Sequence, residues 1–183
     1  MELKAALRER MRSIPDFPKP GILFKDITPV LQDPPLLARC IGDITRAFAD
    51  PGFDAVGGIE ARGFILGALV AHSAGKPFFP LRKAGKLPGK CLRESYSLEY
   101  GVAELEMHHD AFLPGQRVII VDDLLATGGT AQAAARLVQR SEGVLVGMAF
   151  LIELAFLDGR AKLVDAGVDE NRIHSLVAYA AGE

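Results

Sequence analysis

Residues 118–130 read VIIVDDLLATGGT and combine three features in a fixed order. The four β-branched residues at 118–121 are typical of a strand buried on both faces of a parallel sheet. Two aspartates follow, and the segment then ends in Thr-Gly-Gly-Thr directly before a helical pattern of apolar residues. The stretch therefore predicts a strand, a turn and the start of a helix.

The two parts of this stretch are predicted to hold the two ends of one ligand, a ribose 5-phosphate. Ligands of open parallel sheets bind beyond the carboxyl ends of strands, which is where Asp122 and Asp123 stand. Their carboxylates suit the two hydroxyls of a ribose. The free N–H groups of the following helix favour a phosphate, and no lysine follows the glycines as it does in nucleotide triphosphatases. The alternative is an ordinary strand-to-helix turn capped by an aspartate.

Length, composition and charge limit what the whole chain can be. The 183 residues, 49% of them hydrophobic, predict one domain that spans residues 1–183. The formal charge of −2 provides no positive field for nucleic acid or for an anionic membrane surface. The sequence shows no pattern of a signal peptide or a transmembrane helix, so the expected location is cytoplasmic. Its two cysteines cannot form a disulfide framework.

Strand and helix patterns alternate along most of the chain, which predicts an α/β fold with a central, mainly parallel sheet flanked by helices. The prolines between residues 15 and 35 predict a fixed, extended course for the loop at 15–31. Runs at 95–98 and 102–107 predict a polar hairpin that projects from the sheet. Helices are predicted over residues 2–13, 36–48, 63–74, 130–140 and 159–164, and strands over residues 53–59, 77–81, 118–121, 144–152 and 173–177.

Residues 118–130 resemble the phosphoribosyl pyrophosphate (PRPP) signature of the type I phosphoribosyltransferases. Further segments are similar to the members of that family that act on adenine, and together they cover most of the chain in the expected order. They are PDFPKPGILFKDITPVL at 15–31, EARGF at 60–64, RKAGKLPG at 82–89, ESYSLEYG at 94–101 and PGQR at 114–117.

This resemblance implies a fold and an activity. The fold would be that of the type I phosphoribosyltransferases, in which a hood hairpin lies over the active site. The activity would be transfer of the 5-phosphoribosyl group from PRPP to N9 of adenine, which gives AMP and diphosphate in purine salvage. Such an enzyme is a glycosyltransferase of the pentosyltransferase class.

The resemblance also assigns the residues that would bind PRPP. For the 5-phosphate it implies Ala126, Thr127, Gly128, Gly129 and Thr130, and for the ribose and for catalysis Asp122 and Asp123. For the pyrophosphate it implies Glu60, Ala61, Arg62, Arg82, Lys83 and Lys86. The residues themselves support the loop at 60–62, because it follows a predicted strand and precedes a predicted helix. For each basic side chain the alternative is a solvated loop.

The adenine site is implied by the resemblance alone. Leu23, Phe24 and Lys25, within a purine-binding loop at 15–31, would meet the base largely through backbone groups, with Phe24 and Leu124 stacking on it. A fixed pair of backbone groups can reject the wrong base, since that base would leave buried polar groups unpaired. Without the resemblance, core packing is the preferred interpretation of Leu23 and Phe24.

The hood is the remaining part that the resemblance assigns. Residues 83–108 would form a mobile hood or loop whose closure excludes water from a reactive sugar. Glu99 would act catalytically by exchanging a proton with the base, and Tyr100 would contact the substrate. From the sequence alone, a solvated glutamate in a turn is the alternative for Glu99.

The expected partners are the small molecules PRPP and adenine, with no nucleic acid and no membrane. Mg²⁺ would be held mainly by the pyrophosphate, since this ion keeps its hydration and prefers phosphate oxygens. No dedicated protein metal site is expected, because the adjacent His108 and His109 face opposite ways on a strand. The resemblance implies a homodimer in which a basic group reaches the neighbouring subunit's site.

Two rival interpretations remain at this stage. One is an enzyme of the same fold that uses another acceptor, such as hypoxanthine, guanine or xanthine. The other is a regulatory ligand sensor that has lost catalysis. Such a sensor should carry a DNA-binding domain or a basic face, and only a short helix precedes the proline-rich loop at 15–31.

Overall fold

The structure of the protein is a computed structural model that describes residues 2–97 and 101–183. Its strands are β1 (Arg12–Ile14), β2 (Phe24–Asp26), β3 (Ala55–Ile59), β4 (Phe78–Lys83), β5 (Cys91–Ser97), β6 (Val102–His108), β7 (Arg117–Leu125), β8 (Val144–Leu154) and β9 (Ile173–Tyr179). Its helices are α1 (Leu3–Arg10), α2 (Thr28–Leu31), α3 (Pro34–Ala47), α4 (Arg62–Ala74), α5 (Gly129–Arg140) and α6 (Gly159–Asp165), with short 3₁₀ turns at Ala155–Leu157 and Glu170–Arg172.

The main sheet has the order β5-β6-β4-β3-β7-β8-β9. From β4 to β9 neighbouring strands are parallel, whereas β6 pairs antiparallel with both β4 and β5. The side chains at 118–121 of the central strand β7 are fully buried, which explains their unbroken apolar pattern. The predicted α/β class, with a mainly parallel sheet flanked by helices, is confirmed.

Helices cover both faces of this sheet, and each face has its own apolar core. Ile119 and Val121 point into the core that includes side chains of α1, α3 and α4. Val118 and Ile120 point into the opposite core, with side chains of α5 and α6. Residues 118–121 are therefore fixed from both sides, and β7 continues beyond the predicted strand through Asp122 and Asp123 to Leu125. Among the described residues, no helix combines the length and apolar character needed to cross a bilayer.

The predictions for the N-terminal region were wrong in two details. The first helix ends at Arg10, and residues 12–14 instead pair with residues 24–26 as a β1–β2 ribbon. The loop at 15–31 is not extended throughout, because Thr28–Leu31 forms α2. Pro29 stands in the first turn of α2, where its missing N–H group would have no helical acceptor in any case.

The predicted hairpin exists as β5 and β6, but it is neither wholly polar nor separate from the sheet. It continues the sheet through β4, and it starts at Cys91. Tyr96, Leu105 and Met107 are buried in the core that contains α5. Leu105 and Met107 share a face because side chains two apart on a strand point the same way.

Candidate active site

The turn between β7 and α5 forms a small pocket at the carboxyl end of the sheet. Gly128 has a φ of 77°, a left-handed conformation that glycine adopts without steric cost. The pocket has a volume of about 90 Å³ and is lined by residues 122 and 124–131. Because the first N–H groups of a helix lack intrahelical acceptors, the start of α5 gives this pocket the character of an anion site.

A glycine of α6 lies directly against this turn. A Cβ atom at Gly159 would lie 2.1 Å from the carbonyl oxygen of Ala126 and 3.0 Å from Leu125 Cδ1. A Cβ atom at Gly128 would lie 2.7 Å from the carbonyl oxygen of Gly159. The two backbones are therefore in direct contact. Gly159 could not be recognised from the sequence, since its contacts are distant in the chain and the residues next to it do not indicate them.

The two aspartates lie side by side at the end of β7, in different environments. Asp123 is buried at 5% exposure, and its Oδ2 lies 2.8 Å from Arg62 Nε. The Arg62 N–H does not point at this oxygen, which accepts no hydrogen bond within the described part of the chain. Asp122 is partly exposed, and its Oδ1 accepts the backbone N–H of Asp123 at 2.8 Å. Burial, and then the charge of Asp123, raise the pKa of Asp122 well above 3.8.

A larger cleft adjoins the small pocket. Its volume is about 530 Å³, and it shares Asp122, Leu124, Ala126 and Thr130 with the small pocket. The cleft is also lined by Ile59, Glu60, Ala61, Arg62, Lys83, Tyr96, Leu105 and Asp123. The predicted phosphate and ribose residues thus share one continuous surface with Glu60, Ala61, Arg62 and Lys83, whereas Arg82 and Lys86 line neither pocket. The surface is polar on the loops and apolar along the hairpin.

The loop between β3 and α4 gathers the predicted pyrophosphate residues. Glu60 Oε2 lies 3.1 Å from Arg82 Nε, and Glu60 Oε1 pairs with Lys86 Nζ. The backbone N–H of Lys83 also donates to Glu60 Oε2, at 3.3 Å. Although partial burial raises the pKa of Glu60, its contacts with Lys86 and Arg82 lower it to about 2. Arg82 and Lys86 are therefore held by a carboxylate of their own chain, and Lys83, at the end of β4, lines the cleft.

Of the predicted adenine residues, Phe24 lies beside Arg62 and Leu124 lines the cleft. The Phe24 ring packs with its centroid 5.3 Å from Arg62 Cζ, and it makes an edge contact with Phe17. The Leu23 side chain is 39% exposed. The Lys25 side chain turns elsewhere: its Nζ donates to Ser13 Oγ at 3.0 Å and lies over the ring of Tyr179. Only the backbone of Lys25 is therefore available on the side of Phe24.

Glu99 and Tyr100 lie outside the described residues. The neighbouring parts of the hairpin are described, and Tyr96 and Leu105 line the cleft. Tyr96 and Leu105 were not predicted as site residues from the sequence. The alternating apolar residues of the two strands indicated that one face is buried. They did not indicate that this face borders a ligand cleft.

The described residues contain no group of three or more His, Cys, Asp or Glu side chains arranged to hold a metal ion. The carboxylates that line the cleft are those of Glu60, Asp122 and Asp123, and Glu60 is already paired with Arg82 and Lys86. Hard carboxylate oxygens of this kind suit Mg²⁺, which uses one or two of them together with water and phosphate oxygens. The donor set thus fits an ion that arrives with a phosphate ligand rather than one held by the protein alone.

Comparison with known proteins gives a consistent family. A model of the phosphoribosyl transferase domain matches residues 30–173. The adenine phosphoribosyltransferases of Sorangium cellulosum and Nitrosococcus oceani are 51% and 53% identical to the chain, over 97% and 94% of its length and 88% and 98% of theirs.

Solved structures agree with this family. The adenine phosphoribosyltransferase of Thermoanaerobacter pseudethanolicus is 49% identical with a TM-score of 0.91, covering 97% of this chain and 100% of that one. The Saccharomyces cerevisiae enzyme, crystallised with adenine and an imino-altritol bisphosphate, is 38% identical with a TM-score of 0.87, covering 95% and 98%. The chain therefore belongs to the phosphoribosyl transferase family.

Proposed function

We propose that the protein is an adenine phosphoribosyltransferase, which transfers the 5-phosphoribosyl group of PRPP to N9 of adenine and produces AMP and diphosphate in purine salvage. The observation that carries this proposal is the continuous cleft that joins a helix-start phosphate pocket, a carboxylate pair and a cationic loop. PRPP presents the matching groups in the same order: 5-phosphate, ribose hydroxyls and pyrophosphate. The names of the relatives supply the acceptor.

The 5-phosphate binds at the turn formed by Ala126, Thr127, Gly128, Gly129 and Thr130. Backbone N–H groups and the dipole of α5 hold the anion without a lysine. The ribose hydroxyls donate to the carboxylates of Asp122 and Asp123. The Oδ2 of Asp123 supports this role, since it accepts no hydrogen bond despite its ion pair with Arg62, and a buried acceptor without a hydrogen-bond donor is costly until a ligand supplies one.

The pyrophosphate binds at Glu60, Ala61 and Arg62 and at the cations that Glu60 gathers, Arg82 and Lys86, together with Lys83. These groups stabilise the charge that develops when the bond between the anomeric carbon and the pyrophosphate oxygen breaks and the pyrophosphate leaves with the electron pair. The carboxylates of Asp122 and Asp123 offset the positive charge that builds on the sugar. N9 of adenine attacks the opposite face of the anomeric carbon, so the configuration inverts, and no covalent nucleophile is required.

Adenine binds between the purine-binding loop at 15–31 and Leu124. Phe24 and Leu124 stack on the base, and backbone groups of Leu23 and Lys25 read its edge. The position of the Lys25 side chain, on Ser13 and Tyr179, supports a backbone contact rather than a charged one. Glu99 exchanges the proton of the base, and Tyr100 contacts the substrate from the hood.

Mg²⁺ is proposed as a cofactor bound mainly by PRPP. Asp122 and Asp123 would hold it directly or through water, and when bound it supplies additional stabilisation of charge on the leaving pyrophosphate. The chain's own residues bind and orient the sugar. The raised pKa of Asp122 supports this pairing, since a cation or hydroxyl donors would relieve the cost of placing two carboxylates together.

The protein is further proposed to be a cytoplasmic homodimer whose basic loop contributes to the neighbouring site. Exposed apolar side chains in and near the purine-binding loop, Phe17, Ile22 and Leu23, support a contact with a second copy. Arg82, Lys83 and Lys86 are the basic residues proposed for this contribution. Light scattering coupled to size exclusion would test the dimer, and a monomeric mass would contradict it.

The proposed activity is tested by incubating the protein with adenine, PRPP and MgCl₂ and separating the products. AMP and diphosphate should appear in equal amounts, and neither should form when ribose 5-phosphate replaces PRPP. Competition among adenine, hypoxanthine, guanine and xanthine in one reaction then identifies the acceptor. Absence of AMP would refute catalysis on adenine, and preferential formation of IMP, GMP or XMP would assign another acceptor.

A further inference from the structure

The loop at residues 84–90, between β4 and β5, is held against one face of β6. The backbone N–H of Ala84 donates to the carbonyl oxygen of Glu104 at 3.1 Å. Further along the loop, Pro88 O lies 2.8 Å from His108 Nε2. Residues 104, 106 and 108 point to the same side of β6, because side chains alternate along a strand. The loop therefore follows a row of side chains on that face.

The central side chain of this row is Glu106, a carboxylate with only 1% exposure. Its Oε2 accepts the backbone N–H of Gly85 at 2.9 Å, and its Oε1 lies 2.7 Å from Arg93 Nε. One carboxylate oxygen thus accepts a hydrogen bond from the loop, and the other is ion-paired with Arg93. The cross-strand neighbours of Glu106 are Arg93 on one side and Arg82 on the other, and Arg82 turns instead to Glu60.

A buried carboxylate at this position is unfavourable unless its partners compensate it. Arg93 supplies the opposite charge, but it is a largely exposed side chain that could pair with carboxylates in solvent. Gly85 is different, because its N–H belongs to the loop that carries Lys86 and directly follows Lys83. The contact of Glu106 with Gly85 therefore determines where the cationic loop meets the cleft.

We propose that Glu106 is a positioning residue for the pyrophosphate-binding loop. It contacts no substrate; it holds Gly85, and through Gly85 it keeps Lys86 within reach of Glu60 and the leaving pyrophosphate. The inference rests on the proposed function, because that function gives Lys83 and Lys86 their role. Glu106 did not emerge from the sequence analysis, and its two partners become visible only when β4, β5 and β6 are paired.

The test compares Glu106→Gln with the wild-type protein for binding of magnesium diphosphate and, separately, of AMP by calorimetry. A glutamine has one acceptor oxygen for two donors, so either Gly85 or Arg93 faces an NH₂ group. Losing one charge-assisted hydrogen bond should weaken diphosphate binding about tenfold. AMP affinity should stay within about twofold, since AMP has no diphosphate and uses the α5 turn.

Two further variants separate positioning from general damage. Glu104→Gln changes the same residue type two positions earlier on the same face, and it should leave both affinities unchanged. The double variant Arg93→Gln/Glu106→Gln pairs two amides and frees the oxygen of residue 106 for Gly85. It should restore diphosphate binding to within about threefold of the wild type, because only the Gly85 contact is then needed.

Unchanged diphosphate binding in Glu106→Gln would overturn the proposal, and so would equal weakening of diphosphate and AMP. A double variant that stays as weak as Glu106→Gln would overturn it as well. If Glu106→Gln does not fold, hydrogen exchange in the wild-type protein decides, because the proposal requires slow exchange at Gly85. Neither measurement needs turnover, so a protein that makes no AMP yet loses diphosphate binding in Glu106→Gln would refute the proposed function alone.

Discussion

Substitution of Gly159 by alanine should distort the turn between β7 and α5, although Gly159 itself lies in α6. The added Cβ would lie 2.1 Å from Ala126 O, whereas ordinary van der Waals contact begins at 3.4 Å. One of the two backbones must therefore move by about 1.3 Å, since a carbonyl oxygen cannot turn aside as the end of a flexible side chain can. Leu125 Cδ1, at 3.0 Å from the added Cβ, further restricts the directions in which the backbones can move.

The size of the effect follows from this displacement. A misplacement of about 1 Å in a binding group can cost about 100-fold in rate. We expect Gly159→Ala to lower kcat/KM for PRPP between about tenfold and 100-fold and to weaken AMP binding by a similar factor. Diphosphate binding, on the loop at 60–62, should not change. Overpacking should also lower the free energy of unfolding by about 1–3 kcal/mol.

The assay is steady-state AMP formation with PRPP varied at saturating adenine, together with AMP titration and thermal unfolding. Gly42→Ala is the matched control: it lies on α3, where the new Cβ would meet only the flexible end of Arg46 at 3.3 Å. That variant should keep wild-type kinetics and gain about 0.5–1 kcal/mol of stability from helix propensity. Wild-type kcat/KM and AMP affinity in Gly159→Ala would show that α6 does not fix the turn.

Three more substitutions follow from the site. Asp123→Asn should lower kcat about 100-fold in the same assay, because a preorganised charge next to the sugar is lost. Asp122→Asn should lower kcat and yet raise the melting temperature at pH 7. The pKa of Asp122 is raised in the folded protein, so its contribution to stability is present below the unfolded pKa and is lost as pH rises through the folded pKa. The gain should therefore vanish near pH 3. Glu60→Gln should remove stability present above pH 4.5, because the pKa of Glu60 is lowered to about 2 and its ion pairs are lost only as pH falls through that value; unfolding midpoints of both proteins between pH 2 and 6 measure this.

A different result would contradict each of these three predictions. Turnover of Asp123→Asn within twofold of the wild type would remove that carboxylate from the mechanism. An Asp122→Asn variant that melts below the wild type at pH 7 would show that the carboxylate is stabilised by contacts that outweigh burial. Identical pH profiles for Glu60→Gln and the wild-type protein would mean that solvent screens the contacts of Glu60 with Arg82 and Lys86.

The fold and the turn between β7 and α5 were predictable because their signals are contiguous in the chain. The strand, the two aspartates, the glycines and the start of α5 follow one another within residues 118–130, and local geometry decides each step. The N-terminal errors arose where long-range pairing overrides a local pattern. Arg12–Ile14 continues a helical stripe in the sequence, but it finds a strand partner in Phe24–Asp26.

The charge pattern of the site was not predictable, since it depends on strand neighbours. Residues 59 and 81 are aligned across the parallel pair β3–β4, and only this register brings Glu60 next to Arg82. The sequence indicates that Glu60, Arg82 and Lys86 are charged. It does not indicate that one carboxylate pairs with both cations.

The hairpin shows why residue type alone misled the prediction. The runs at 95–98 and 102–107 predicted a polar hairpin that projects from the sheet, yet Glu106 is more buried than most apolar residues that the structure describes. Its burial is tolerated because both oxygens have partners: an ion pair with Arg93 on β5 and a hydrogen bond from the loop that precedes β5. A carboxylate with such partners links the hairpin to the cationic loop. A change in the hairpin or in the loop should therefore weaken binding at the pyrophosphate end of the cleft more than at the phosphate end.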